Sequence, residues 1–179
     1  MSVAGPPQDA KAPSGGSALH EVRSVGALGF MGQPMANYAA ARRAGDFLFV
    51  SGVVAVDPAR KALVQSYEEL PPHAREQLRS IGYDTGQMTV DIYEAPAVAQ
   101  SWFVLERIRQ IAREHGAEMA DAVKLVQYFR HLRHYPFYNR VRGLFYPTDP
   151  PASTVVEVAR FMPSDAALIE VEATIYLKA

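Results

Sequence analysis

Cysteine is absent from all 179 residues, which removes disulfide frameworks, thiol nucleophiles and thiolate metal sites in one step. An excess of charge of either sign is also lacking. Eighteen Lys and Arg stand against 19 Asp and Glu, and the net −1 gives no general attraction to phosphate backbones or anionic lipid. No apolar run approaches the roughly 18 residues that would indicate a membrane span. A Gly-rich phosphate loop, a G-x-S-x-G elbow and a Walker lysine are all missing, which argues against nucleotide-driven and α/β-hydrolase chemistry. The single tryptophan, Trp102, reads as core rather than as part of a ligand cage.

The chain has the size of one domain, and at 49% hydrophobic it can bury a core without metal or disulfides. Residues 1–19 are rich in Ala, Gly, Pro and Ser, carry Lys11 and lack the apolar centre of a secretory signal. They are expected to form a disordered N-terminal tail of a cytoplasmic protein, and 20–179 a single domain.

Short apolar runs broken by turn residues mark the first strands. Phe47 to Val50 reads as a buried strand, Ala44-Gly45-Asp46 as a hairpin turn, and Asn37 to Arg43 as its partner. Val53 to Val56 continues the sheet until Asp57-Pro58. Residues 61–96 are punctuated by Pro71-Pro72, Gly82 and Gly86, leave room only for a short helix over His73 to Ile81, and read as an insertion serving as a lid or subunit contact.

Beyond Pro96, Val98, Trp102, Leu105, Ile108, Ile111 and Ala112 recur at helical spacing up to Gly116, a C-cap, with Arg107, Arg109 and Arg113 mostly off that face. Asp121 to Leu132 reads as a central strand, and His134 to Tyr146 as a second helix with Phe137, Val141, Leu144 and Phe145 on one side. Ser153 to Arg160 and Leu168 to Leu177 then read as two strands joined by a turn at Pro163-Ser164-Asp165. This order predicts an α+β fold, a sheet with both helices packed on one face.

In the last strand, alternation puts Ile169, Val171, Ala173, Ile175 and Leu177 on one face and Glu170, Glu172, Thr174 and Tyr176 on the other. Facing bulk water, the two carboxylates are merely the wet side of an amphipathic strand. Lining a pocket, their repulsion and desolvation raise one pKa and create a general acid or base. Spacing leaves both readings open.

His131 and His134 form an H-x-x-H pair without a further ligand at metal spacing, so a metal is not expected and no other cofactor is called for. Arg107, Arg109 and Arg113 lack interleaved stacking aromatics, so nucleic acid is not an expected partner.

Several pieces in order resemble one known family. They are Tyr38 followed by Ala44-Gly45-Asp46 and Phe49-Val50-Ser51-Gly52, then Asp121-Ala122-Val123-Lys124, Phe137 with Asn139, and the segment from Pro151 to Glu172. Together they are similar to the Rid (YjgF-type) enamine/imine deaminases, from about Asn37 to the C-terminus. The resemblance implies a chorismate-mutase-like α+β fold, assembled as a barrel-like homotrimer with small-molecule pockets between subunits. It also implies a hydrolase in which an arginine of a Pro-Ala-Arg motif holds the substrate carboxylate. A glutamate of the last strand positions the water that converts an imine to a ketone and ammonia.

By position Glu170 matches that catalytic glutamate, Tyr38 a pocket tyrosine and Asn139 an asparagine of the second helix. Ser153 stands where the family has its arginine. A bidentate, charge-assisted contact worth on the order of 1.5–3 kcal/mol per hydrogen bond is thereby exchanged for one neutral donor. A small 2-imino acid is accordingly expected to bind poorly, with Arg140 or His131 as candidate replacement anion contacts. The resulting expectation is an atypical family member acting on another imine, enamine or conjugated intermediate, with Glu170 catalytic and Ser153, Tyr38, Asn139 and Arg140 binding substrate. The alternative is a non-catalytic trimeric ligand-binding protein.

Overall fold

The computed structural model describes Arg23–Ser24 and residues 37–178. The N-terminal tail of the sequence reading lies outside the described residues. In chain order the elements are β1 (Arg23–Ser24), β2 (Ala41–Ala44), β3 (Phe47–Val54), β4 (Val56–Asp57), β5 (Ala62–Leu63), α1 (Pro72–Ser80), α2 (Met88–Glu114), β6 (Ala122–Phe129), α3 (Tyr135–Phe145), β7 (Ala152–Glu157) and β8 (Ile169–Tyr176). The main sheet runs β1-β2-β3-β8-β6-β7, antiparallel except for the parallel β6–β7 pair, and β4 and β5 form a separate small ribbon.

Helix α2 carries the core. Val98, Trp102, Leu105, Ile108, Ile111 and Ala112 are all buried, as their spacing predicts, and each such large side chain contributes about 1.5–3 kcal/mol of burial. Gly116 closes the helix at φ +75°, where its N–H and that of Ala117 take the carbonyls of Arg113 and Ala112. The start differs from the sequence reading, because α2 begins at Met88, with Pro96 inside it. Pro96 has no N–H for the Ile92 carbonyl, but Ile92 is exposed and water can serve that group. Helix α1 lies alongside, where Trp102 Nε1 donates to Gln77 Oε1 at 2.9 Å and His73 meets the Trp102 ring edge-on.

The last two strands are not neighbours. Their connecting segment carries β8 past β6, which inserts between β7 and β8, so the turn at Pro163-Ser164-Asp165 does not close a hairpin. On β8, Ile169, Val171, Ala173 and Ile175 are buried on the helix face, while Glu170, Glu172 and Thr174 are half-buried on the face that no helix covers. Register places Tyr128 beside Glu170 and Val126 beside Glu172 on this open face. Leu125, Gln127 and Phe129 of β6 are buried on the helix side, where the Phe129 ring meets Tyr135 and Tyr138 of α3.

Candidate active site

Two clusters emerge, one on each face of the sheet. The open-face cluster is built around a bulge in β3. Val50 pairs with Ala173 and Val53 with Val171, so Ser51 and Gly52 together stand opposite Glu172. The Glu170 side chain fills the space that a Cβ on Gly52 would need, which makes glycine a requirement of this approach. Burial, and then the neighbouring Glu172 charge, push the Glu170 carboxyl above its ordinary pKa. Glu172 is held by the Tyr128 hydroxyl, which donates to its Oε1 at 3.2 Å, whereas among the described residues no donor is bonded to Glu170. One carboxylate is therefore anchored and the other is available to exchange a proton.

Tyr38, 46% exposed, lies at the rim of this face. It lines a cleft of about 820 Å³ with Arg42, Ser51, Lys124 and Glu172, and a second of about 890 Å³ shared with Ser51, Gly52 and Lys61. Ser51 ties this rim down, its Oγ donating to the Ala39 carbonyl at 2.7 Å.

The second cluster sits at the edge strand β7 on the helix face. Ser153 registers with Leu125 and its Oγ donates to Gln127 Oε1 at 2.9 Å. Arg142 of α3 donates from Nη1 to Ser153 Oγ at 3.3 Å and from Nη2 to Asn139 Oδ1 at 2.8 Å. Ser153 and Asn139 are thus brought together, and Arg142, which the sequence reading missed, is what joins them.

Arg140 is elsewhere. Its guanidinium lies over the Tyr83 ring at 5.1 Å and beside Gly82, in the turn after α1. Two residues along a helix is about 200°, so Arg140 and Arg142 point to opposite sides of α3. The detectable signal was the i,i+3 spacing of Asn139 and Arg142, which puts them on one face.

His131 and His134 face each other with ring centroids 6.0 Å apart, and burial, then Arg133 and His131, lower the His134 pKa. Among the described residues no group of three or more His, Asp or Glu is placed to hold a metal. No helix among them is long and apolar enough to cross a membrane.

An α+β domain with one main sheet, helices on one face and polar residues on the other is the class that these features define. The family model described as Endoribonuclease L-PSP matches residues 77–177, more than half of the chain. A RutC family protein of Pyrococcus abyssi is 30% identical over 80% of this chain and 89% of its own length. A RutC family protein of Sinorhizobium fredii is also 30% identical, over 78% and 86%. A solved Klebsiella pneumoniae structure, described as a candidate endoribonuclease, superposes with a TM-score of 0.73 at 48% identity, covering 79% of this chain and all of that one. RidA from an Antarctic Psychrobacter shares the fold with a TM-score of 0.61 at 20% identity, covering 82% and 93%. The chain belongs to the Ribonuc_L-PSP family, the YjgF/Rid family of the sequence resemblance.

Proposed function

We propose that the protein is a Rid-type hydrolase of imines or enamines, working in an assembly of identical chains with Glu170 as its acid/base group. The observation that carries this reading is the Glu170 carboxyl itself, half-buried, without a hydrogen-bond donor among the described residues, lodged against Gly52 and raised in pKa beside Glu172. As carboxylate it takes a proton from water while the oxygen bonds to the imine carbon. The C=N π pair moves to nitrogen, which takes that proton back from Glu170 to give the neutral carbinolamine; Glu170 then carries the carbinolamine hydroxyl proton to nitrogen as the C–N bond breaks, and the ketone and ammonia leave. A carboxyl whose pKa is raised toward neutrality serves both proton transfers better than one at the ordinary value.

The separation of the two clusters supports the assembly. Within one chain Glu170 and Tyr38 are across the sheet from Ser153 and Asn139, so a ligand touching both needs two copies. The open face also leaves Phe47, Phe49 and Tyr176 exposed, with Phe49 at 48%, a set of large apolar groups suited to burial against another copy. A homotrimer is the form that the family resemblance implies.

The test is a mass-spectrometric screen of imines and enamines, generated in situ, with the wild type and Glu170→Gln side by side. Wild type is expected to convert at least one to its carbonyl product, and Glu170→Gln to turn over about 10²-fold or more slowly. Equal turnover by the two proteins would overturn the acid/base assignment. Saturable ligand binding without product in the wild type would favour a non-catalytic binding protein.

A further inference from the structure

We propose, on the reading of Glu170 as the acid/base group, that Tyr128 is a positioning residue of the same site. Its hydroxyl pins Glu172 on the open face, so that the proton exchanged in the reaction belongs to Glu170.

The geometry comes from strand register. Tyr128 of β6 stands directly opposite Glu170 of β8, while Glu172 stands opposite Val126, one diagonal step away on the same face. A diagonal separation of about 7–8 Å across antiparallel strands is within reach of an aromatic side chain. The half-buried Tyr128 side chain spans it, and its hydroxyl donates to Glu172 Oε1 at 3.2 Å rather than to the carboxylate directly across. Two chemically identical groups, two residues apart, are thereby made unequal.

A neutral donor is what this role needs. Arg42 and Lys124 line the cleft that Glu172 also lines, yet among the described residues neither forms an ion pair with Glu170 or Glu172. Lys124 Nζ donates instead to Thr154 Oγ1 at 2.6 Å. A cation on Glu172 would cancel the charge that acts on Glu170, whereas a phenol holds Glu172 in place and leaves that charge intact. Burial, then the charges of Glu172 and Glu170, push the Tyr128 hydroxyl above its ordinary pKa, so it remains a donor wherever the carboxyls titrate. The other ionisable groups on the two clefts of this face are Tyr38 at the rim, and Lys61 and Arg107 on the adjoining cleft.

The experiment is a carboxyl-carbon NMR titration of the full-length assembled protein, with isotope-labelled glutamate and the Glu170 signal assigned by its loss in Glu170→Gln. In the wild type, Glu170 is expected to titrate in one single-proton step. In Tyr128→Phe the freed Glu172 shares the proton, and the Glu170 curve should broaden into two steps separated by about one pH unit or more. Tyr128→Phe/Glu172→Gln should restore a single step, now at lower pH because the neighbouring charge is gone. A merely structural tyrosine would not give a broadening that a second substitution reverses. A Tyr128→Phe protein that keeps the wild-type single step, or a wild type that already titrates in two, would overturn the proposal. If Tyr128→Phe does not fold, Glu172→Gln decides, since an unmoved Glu170 midpoint overturns the proposal and a fall to lower pH supports it.

Turnover separates this role from the reading on which it rests. With an imine that the wild type converts, Tyr128→Phe should lose about threefold or more in kcat/KM and regain part of it when Glu172→Gln is added. Wild-type kcat/KM in Tyr128→Phe would overturn the positioning role. Unchanged turnover in Glu170→Gln removes the acid/base reading, and a broadened Glu170 titration then still supports the hold of Tyr128 on the pair.

Discussion

The two faces of the sheet handle charge in opposite ways. On the open face, Glu170 and Glu172 are close enough to repel, and among the described residues only Glu172 is given a donor, the Tyr128 hydroxyl. On the helix face, at the β7 edge, a single guanidinium is held by neutral oxygens and Ser153 relays that bond to Gln127. The first arrangement keeps a proton exchangeable, and the second leaves a positive charge without a carboxylate partner among the described residues. A pocket that needs both must be composed from different chains, because the β8 and β6 strands that carry one set of residues outward carry the other set inward.

On the proposed composite site, the largest expected effect comes from preventing the two faces of different copies from meeting. Phe49→Arg places a charge in the exposed apolar set of the open face and should reduce the assembly to monomers with turnover lost. Light scattering coupled to size-exclusion chromatography reads the mass, and an intact, active oligomer would refute the composite site. Next is Gly52→Ala, whose methyl group would occupy the space of the Glu170 carboxylate. Displacement should cost about 1–3 kcal/mol in denaturant unfolding and at least about tenfold in turnover, the open face alone being damaged.

Ser153→Arg tests the other side. It sets two guanidinium groups together and removes the bond to Gln127, for an expected loss of about 1–2 kcal/mol that Arg142→Gln partly restores. A double-mutant cycle in urea measures that coupling, and strict additivity would show that the two positions do not interact.

The smallest effect is in the pH dependence. Because the Glu170 pKa is raised in the folded chain, the folded state binds more protons than the unfolded one between the ordinary carboxylate pKa and the raised value. Stability therefore falls as pH rises through that window. Glu170→Gln should flatten this slope and be relatively more stable above the window. Parallel pH profiles for wild type and variant in chemical denaturation would contradict the raised pKa.

Local pattern and long-range placement divided clearly. The α2 face from Val98 to Ala112, its end at Gly116 and the β8 alternation were all legible, because each depends on periodicity and a turn residue within a few positions. The start of α2 was not, since Pro96 normally marks a boundary and only the exposure of Ile92 makes it tolerable inside. The insertion of β6 between β7 and β8 was equally hidden, as strand pairing has no signature in the spacing of the last two strands. At the site, Glu170 and Gly52 were both visible as motif residues, but their mutual packing was not. The sequence reading named Arg140, and the structure sets Arg142 rather than Arg140 against Ser153, a matter of helical phase relative to β7.

By itself, the sequence determined the family, the α+β class and the paired carboxylates on one face of the last strand. These follow from residue order and a two-residue period, which any extended strand must obey. Only the tertiary structure decided that Glu172 is anchored while Glu170 is not, and that Ser153 is accompanied by a guanidinium from α3. Both depend on which side chains converge from distant segments, and that convergence is set by the packing of helix on sheet rather than by spacing along the chain.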